Sequence, residues 1–380
     1  MLVYNEEERM LADSAEEFIQ DLSPISAQRA LRDEHVSLGF SADTWGEMIN
    51  MGWPAMPFAE QYGGLDYSCK GLTAIFEQIG VNLCAAPMLS SVILAGCTIE
   101  RCALDAHKEH YLPSIIDGQL RLALAFDEGR LHAPERIASD YVKTANGYQL
   151  SGHKTMVIDG IDADAYLIVA KHCDNDNDFA VFYVPADTLG LTVTKLNLID
   201  SRNYAQLIFD GIELPDSAKI SGEDFDILQL QQTLDIGRCC IAAEILGSCQ
   251  NLFDMTIDYL KTRVQFDAPI GSFQALQHRA AWMFTELELA RSCVLHAAQS
   301  LDEGKAGQID ADKVAKAVSL AMYKVSVMAD KVTSEAVQLH GGIGVTDELD
   351  IGLLLKRIRV AQAILGDRAY HQNRYSHIVL

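Results

Sequence analysis

Hydrophobic periodicity changes twice along these 380 residues, and this double change constrains the fold more than any single motif. Up to residue 119 the apolar side chains recur at helical spacing. Met10, Leu11, Ala15, Phe18 and Ile19 predict a helix over Glu6–Leu22. Asp43–Met51, with Ser41 or Asp43 as cap, Leu72–Val81 and Pro87–Leu104 predict others, and residues 61–64 a loop. Near Gln119 the period shortens. LRLALAFDEG, YQLSGHKTMVIDG, AYLIVAKH, FAVFYVP, LTVTKL and YAQLIFDGIELP are short, rich in β-branched and aromatic residues, and punctuated by Gly, Asn and Asp. They predict a β domain, with a hairpin turn at Asn146-Gly147 and a solvated loop over the acidic residues 172–179. From Asp226 the helical spacing returns. Leu228, Leu234, Ile241, Ile245, Leu252, Met255 and Tyr259 predict one long helix, broken at Asp267–Gly271 around Pro269. Helices over Phe273–Leu301, Ala311–Leu339 and Leu349–Tyr375 follow, with Gly341-Gly342 between the last two.

The order is therefore α, β, α, without βαβ alternation and without GxGxxG, which disfavours a Rossmann sheet. The expected class is α+β, divided at 1–119, 120–222 and 223–380. A net charge of -23 argues against nucleic acid or an anionic membrane as partner. The nine cysteines form no CxxC pair and no Cys/His metal spacing, so they read as reduced thiols of a cytoplasmic protein, with Cys239 and Cys240 as core residues. No metal site is expected. The acidic start lacks the pattern of a signal peptide, and no apolar run approaches the roughly 18 residues of a membrane span. His132, His153 and His172 read as surface groups, and His278 and His340 as helix-packing residues.

Five segments, in order, resemble one family. They are GWPAMPFAEQYGGLDYS (52–68), LPSIIDGQLRLALAFDEG (112–129), GYQLSGHKTMVIDG (147–160), TRVQFDAPIGSFQALQHRAAWM (262–283) and QLHGGIGVTDE (338–348). Together they are similar to the FAD-dependent acyl-CoA dehydrogenases. The resemblance implies an N-terminal helical domain, a middle β-barrel-like domain and a C-terminal four-helix bundle. It implies FAD as cofactor, an acyl-CoA substrate and electron transfer to an electron-transferring flavoprotein. Phe126, Asp127 and Glu128 match a flavin- and substrate-facing stretch, and Met156, Val157 and Ile158 a flavin-facing segment. Arg263, Gln265, Phe266 and Gln274, with Gln338, Gly341 and Gly342, match positions that reach FAD from different subunits of a dimer, so a homodimer or tetramer is implied. An arginine fork suits a pyrophosphate, and glycines let backbone N–H groups approach a phosphate. Asp367 matches a flavin-contacting hydroxyl residue, and Arg238 a substrate-side arginine. The chain departs from the family where Met156 replaces an aromatic residue and Ile158 replaces the hydroxyl that hydrogen-bonds near flavin N5.

The implied reaction, α,β-dehydrogenation of an acyl-CoA thioester, needs a carboxylate to take the α-proton. The family places it at one of two positions, which fall here on Leu365 and Gly237. Glu244, in the apolar run CCIAAEILG, is the remaining candidate base, with a structural glutamate paired to an arginine across the dimer as its alternative role; Asp235 is a weaker candidate expected to face solvent. A glycine before Arg238 and a Leu-Gly-Asp turn resemble the small subunits of heteromeric bacterial enzymes of the family, in which a partner chain carries the base. Three readings stay open: an active dehydrogenase, a catalytically silent FAD-binding subunit of a heteromer, and a fold relative that oxidises a non-CoA substrate.

Overall fold

The computed structural model describes residues 4–379. They form two compact units.

The first unit comprises the described part of Met1–Ala30, then Cys69–Cys84, and the described part of Arg238–Leu380. Helix α1 (Glu6–Leu22) begins at a capping box in which Asn5 and Glu8 satisfy each other's backbone N–H groups. Helix α2 (Ile25–Asp33) starts in this unit and α4 (Cys69–Val81) lies in it, whereas α3 (Ala42–Asn50) belongs to the second unit. The long helices are α7 (Ile227–Thr262), α8 (Gln274–Lys305) and α9 (Ala311–His340), with α10 (Ile351–Ala361) and α11 (Arg368–Val379) closing the chain. Two shorter helices, α5 (Cys97–Cys102) and α6 (Asp105–Ile116), belong to the second unit. Within the first unit α9 packs on α8 and α11, and α4 on α1 and α8.

Helices α4 and α7 approach backbone to backbone. A Cβ added to Gly80 would lie 1.9 Å from the carbonyl oxygen of Glu244, and one added to Gly247 would lie 1.9 Å from that of Glu77. Both positions therefore require glycine. The predicted helix over Leu349–Tyr375 is broken instead, because Leu365 and Gly366 both adopt positive φ (57° and 115°) and turn the chain between α10 and α11.

The second unit comprises Leu31–Ser68 and Ala85–Gly237. Its centre is a seven-stranded mixed sheet: β1 (Leu122–Ala125), β2 (Asp140–Thr144), β3 (Gly147–Ile158), β4 (Ala165–His172), β5 (Asn175–Pro185), β6 (Leu191–Lys195) and β7 (Tyr204–Leu214). The order is β1-β4-β2-β3-β7-β6, with β5 also on β4. Strands β1 and β2 both run parallel to β4, at its beginning and its end. Tyr141, Leu150, Val157, Tyr166, Ile168, Phe182, Leu207 and Phe209 fill the core against this curled sheet. Strand β2 is absent from the sequence pattern because only Tyr141 in it is buried.

The β2–β3 turn is Ala145-Asn146, since Thr144 pairs with Gly147. Gly147 opens the strand because a Cβ there would meet the Leu214 carbonyl at 2.0 Å. The acidic stretch 172–179 is mostly strand: β5 starts at Asn175 and stays exposed through Asn177. Pro87–Leu104, predicted as one helix, is a nine-residue π-helix, Met88–Gly96, followed by α5. Every residue of the π-helix is buried, and Ser91 Oγ accepts the β1 backbone N–H of Leu122. Among the described residues no helix is long and apolar enough to cross a membrane.

Candidate functional site

The predicted site residues fall in both units. In the sheet unit, the structure brings together the two stretches named from the sequence. Phe126 and Asp127 directly follow β1, and Asp127 accepts a hydrogen bond from the Thr155 backbone N–H at 2.8 Å. Between Lys154 and Val157 the β3–β7 register slips, and Met156 takes φ 53°. This bulge interrupts the alternation of the strand and re-aims Met156. Val157 is buried in the core, and Ile158 is in register with Tyr204. At the strand's end, Asp159 accepts a 2.5 Å hydrogen bond from Ser90 Oγ on the π-helix.

Lys154 escaped sequence reading, and Glu128, matched to the flavin- and substrate-facing stretch, is turned back onto it. Lys154 is fully buried, with Nζ 2.6 Å from Glu128 Oε1 and 3.4 Å from the Phe126 carbonyl. Burial pushes its pKa down to about 8, against the pull of Glu128. Burial alone would raise the Glu128 carboxyl, but Lys154 and the N–H groups of Ser139 and Ala138 hold it below its ordinary value. His132, expected at the surface, has a buried side chain whose Nδ1 meets Asp127 Oδ2 at 2.8 Å. His153 is exposed, and its Nε2 lies 2.9 Å from the Glu128 carbonyl. His172 Nδ1 accepts the Asp174 N–H in an exposed turn.

In the helical unit, Val264–Gln265 and Ala268–Pro269 pair as a two-residue hairpin, β8 and β9. Its turn residues, Phe266 and Asp267, both have positive φ (54° and 61°), and Phe266 is 90% exposed. A large aromatic held out in left-handed backbone is costly in isolation and is what a contacting group at a hairpin tip requires. Arg263, Gln265 and Gln274 are exposed beside it. Gln338 is exposed on the last turn of α9, and Gly341, with φ 65°, and Gly342 have open space where a side chain would stand. An exposed guanidinium, an aromatic tip and an open glycine backbone suit a dinucleotide cofactor with a pyrophosphate. His340 is buried as expected, stacked on Tyr259 with Nδ1 on the Ala336 carbonyl, and burial lowers its pKa. His278, expected to pack between helices, is exposed.

The candidate bases read differently in three dimensions. Glu244 is buried and bound in a two-pronged ion pair by Arg357 of α10, at 2.6 and 3.0 Å. The arginine expected across a dimer is therefore supplied within the chain. Asp235, expected to face solvent, is 3% exposed, because this stretch of α7 is buried on nearly every side. Arg238 is fully buried; its Nε donates to the Leu365 carbonyl at 3.0 Å, and its Nη2 to the Tyr370 hydroxyl at 3.2 Å. Its Nε and Nη2 are thus directed at groups of the C-terminal segment. Asp367 caps α11 by accepting the Tyr370 N–H at 2.8 Å. The turn that carries the C-terminal base position is thus built, gripped and capped, with Leu365 on it.

Comparison with known proteins agrees with this geometry. Residues 5–119 match the acyl-CoA dehydrogenase N-terminal domain, and residues 227–379 the C-terminal domain. An acyl-CoA dehydrogenase of Bacillus subtilis is 30% identical over 84% of this chain and 85% of its own. Acyl-CoA dehydrogenase FadE12 of Mycobacterium tuberculosis is 29% identical over 88% of this chain and 85% of its own. Among solved structures, a chain of the ChsE4-ChsE5 complex from Mycobacterium tuberculosis superposes with a TM-score of 0.88, at 24% identity, covering 100% of this chain and 98% of that one. The α-β-α architecture and the order of its motifs are those of its relatives: the chain belongs to the acyl-CoA dehydrogenase family of flavin-dependent oxidoreductases.

Proposed function

We propose that this chain is an FAD-holding subunit of an enzyme that dehydrogenates an acyl-CoA thioester between its α and β carbons, and that a partner chain supplies the proton-accepting carboxylate. One observation carries this reading. The C-terminal turn is fully formed around Leu365, an aliphatic side chain, while Glu244, the candidate base in the run CCIAAEILG, is committed to Arg357.

In this reading Arg263 and Phe266 reach the cofactor from one subunit of a dimer, and the backbone at Gly341 and Gly342 reaches it from the other. Phe126, Asp127 and the bulge at Met156–Ile158 face its ring. Bound FAD supplies the acceptor for the hydride that leaves the β carbon. Ile158 offers no side-chain donor near that ring, so orientation there falls to backbone and packing. Arg238 holds the turn that would otherwise carry the base. Electrons pass onward to an electron-transferring flavoprotein, and the assembly is a dimer or tetramer, heteromeric where the base-bearing chain joins. Residues 1–119, 120–222 and 223–380 act as its three segments.

The second reading, an active homo-oligomer with Glu244 as base, is favoured by that residue's place in an apolar helix. The isolated chain decides between them. It is expected to bind FAD and to reduce a dye acceptor negligibly with acyl-CoA substrates, whereas Leu365→Glu gains turnover. Robust turnover by the unmodified chain, abolished in Glu244→Gln, would reverse the assignment.

A further inference from the structure

We propose that Lys154 and Glu128 are a positioning pair that sets the shape of the flavin-facing surface of the sheet unit. This rests on the reading that Phe126–Asp127 and Met156–Ile158 face the flavin.

Three consecutive residues after β1 are tied to three consecutive residues of β3. Phe126 accepts from Lys154 Nζ at 3.4 Å through its carbonyl. Asp127 accepts from the Thr155 N–H at 2.8 Å. Glu128 meets His153 Nε2 through its carbonyl at 2.9 Å, and Lys154 Nζ through its carboxylate at 2.6 Å. The carboxylate then reaches further. Its Oε1 also takes the Ser139 N–H at 3.0 Å and its Oε2 the Ala138 N–H at 2.7 Å, so it fixes the far end of the loop that follows.

Lys154 is also the last residue in regular register before the bulge. Two residues further on, Met156 departs into left-handed backbone. The lysine itself is fully buried and the Glu128 side chain is 7% exposed, turned onto the lysine and the following loop. A buried ion pair can often be replaced by apolar groups of similar volume without loss of stability. An apolar pair here would pack, but it could not accept the Ser139 and Ala138 N–H groups or donate to the Phe126 carbonyl. The charges therefore define where two backbone segments lie rather than only filling space. Asp127 is the other acidic group acting on Lys154.

The test uses Glu128→Gln, Lys154→Met and the double variant Lys154→Met/Glu128→Met in the full chain. Denaturation midpoint, FAD dissociation constant, flavin visible spectrum and two-electron potential are measured for each. The single variants are expected to bind FAD roughly tenfold more weakly, in line with the sensitivity of aligned sites to shifts of about 1 Å, and to displace the flavin band and potential. The double variant is expected to recover the denaturation midpoint while its flavin spectrum and potential stay displaced. Wild-type affinity, spectrum and potential in the double variant would overturn the proposal. If Lys154→Met fails to fold, Glu128→Gln decides by the same readouts. Absence of FAD binding in the unmodified chain would overturn the flavin reading itself, and is seen before any variant is made.

Discussion

Glu244→Gln separates a structural role from a catalytic one. In the structure both carboxylate oxygens accept from Arg357, at 2.6 and 3.0 Å, and the two side chains are 5% and 10% exposed. Charge-assisted bonds of this kind contribute about 1.5–3 kcal/mol each, and a neutral amide keeps one acceptor worth about 1 kcal/mol. Replacement should therefore cost roughly 2–5 kcal/mol, overlapping the range for breaking a buried pair from one side. Glu244→Met/Arg357→Met removes both charges and should recover most of that loss. Chemical denaturation of each variant gives the magnitudes, and flavin reduction by an acyl-CoA substrate, with the base-bearing partner present, gives the chemistry. The expected pattern is a lowered midpoint with reduction rates per folded flavin site within a few-fold of the unmodified chain. An unchanged midpoint with a reduction rate lowered by several orders of magnitude would refute the structural role.

Phe266→Gly should relieve left-handed strain at the hairpin tip, stabilising the chain by about 1 kcal/mol, while weakening FAD binding about tenfold. Thermal unfolding of the cofactor-free chain and FAD titration read the two effects, and a loss of stability with unchanged affinity would contradict both. Lys154 has a folded pKa of about 8, below its unfolded value. From about pH 8 to 10.4 the unfolded chain keeps a proton that the folded chain has lost, so this group's contribution to stability rises with pH, by up to about 3 kcal/mol. Below pH 8 both states are protonated and its contribution is flat. The difference in unfolding free energy between the unmodified chain and Lys154→Met should climb across that window, and a flat or falling difference would count against the buried ammonium.

Local pattern carried much of the architecture. Glu6–Leu22, with its capping box, is found with the predicted bounds, and the long helix before Arg263 and the strands on either side of Gly160 follow from periodicity. What escaped depends on partners far along the chain. Arg357 lies 113 residues from Glu244, and nothing in CCIAAEILG announces it. Lys154 reads as the outward residue of an alternating strand until Glu128, 26 residues earlier, is placed beside it. His132 looks like a loop histidine because its Asp127 partner is set by the loop's return rather than by spacing. The turn at Leu365 came from the family resemblance and not from periodicity, which ran a helix through it, because leucine carries no left-handed propensity.

The grip of Arg238 on the Leu365 carbonyl has a consequence for how this scaffold changes. Arg238 binds the backbone of residue 365 and leaves its side chain unspecified. Leu365 is only 3% exposed, so its neighbours pack the side chain while Arg238 holds the backbone, and different contacts fix the two. In the proposed reading, a change of side chain there alters the chemistry and the packing of the turn but not the anchor that shapes its backbone.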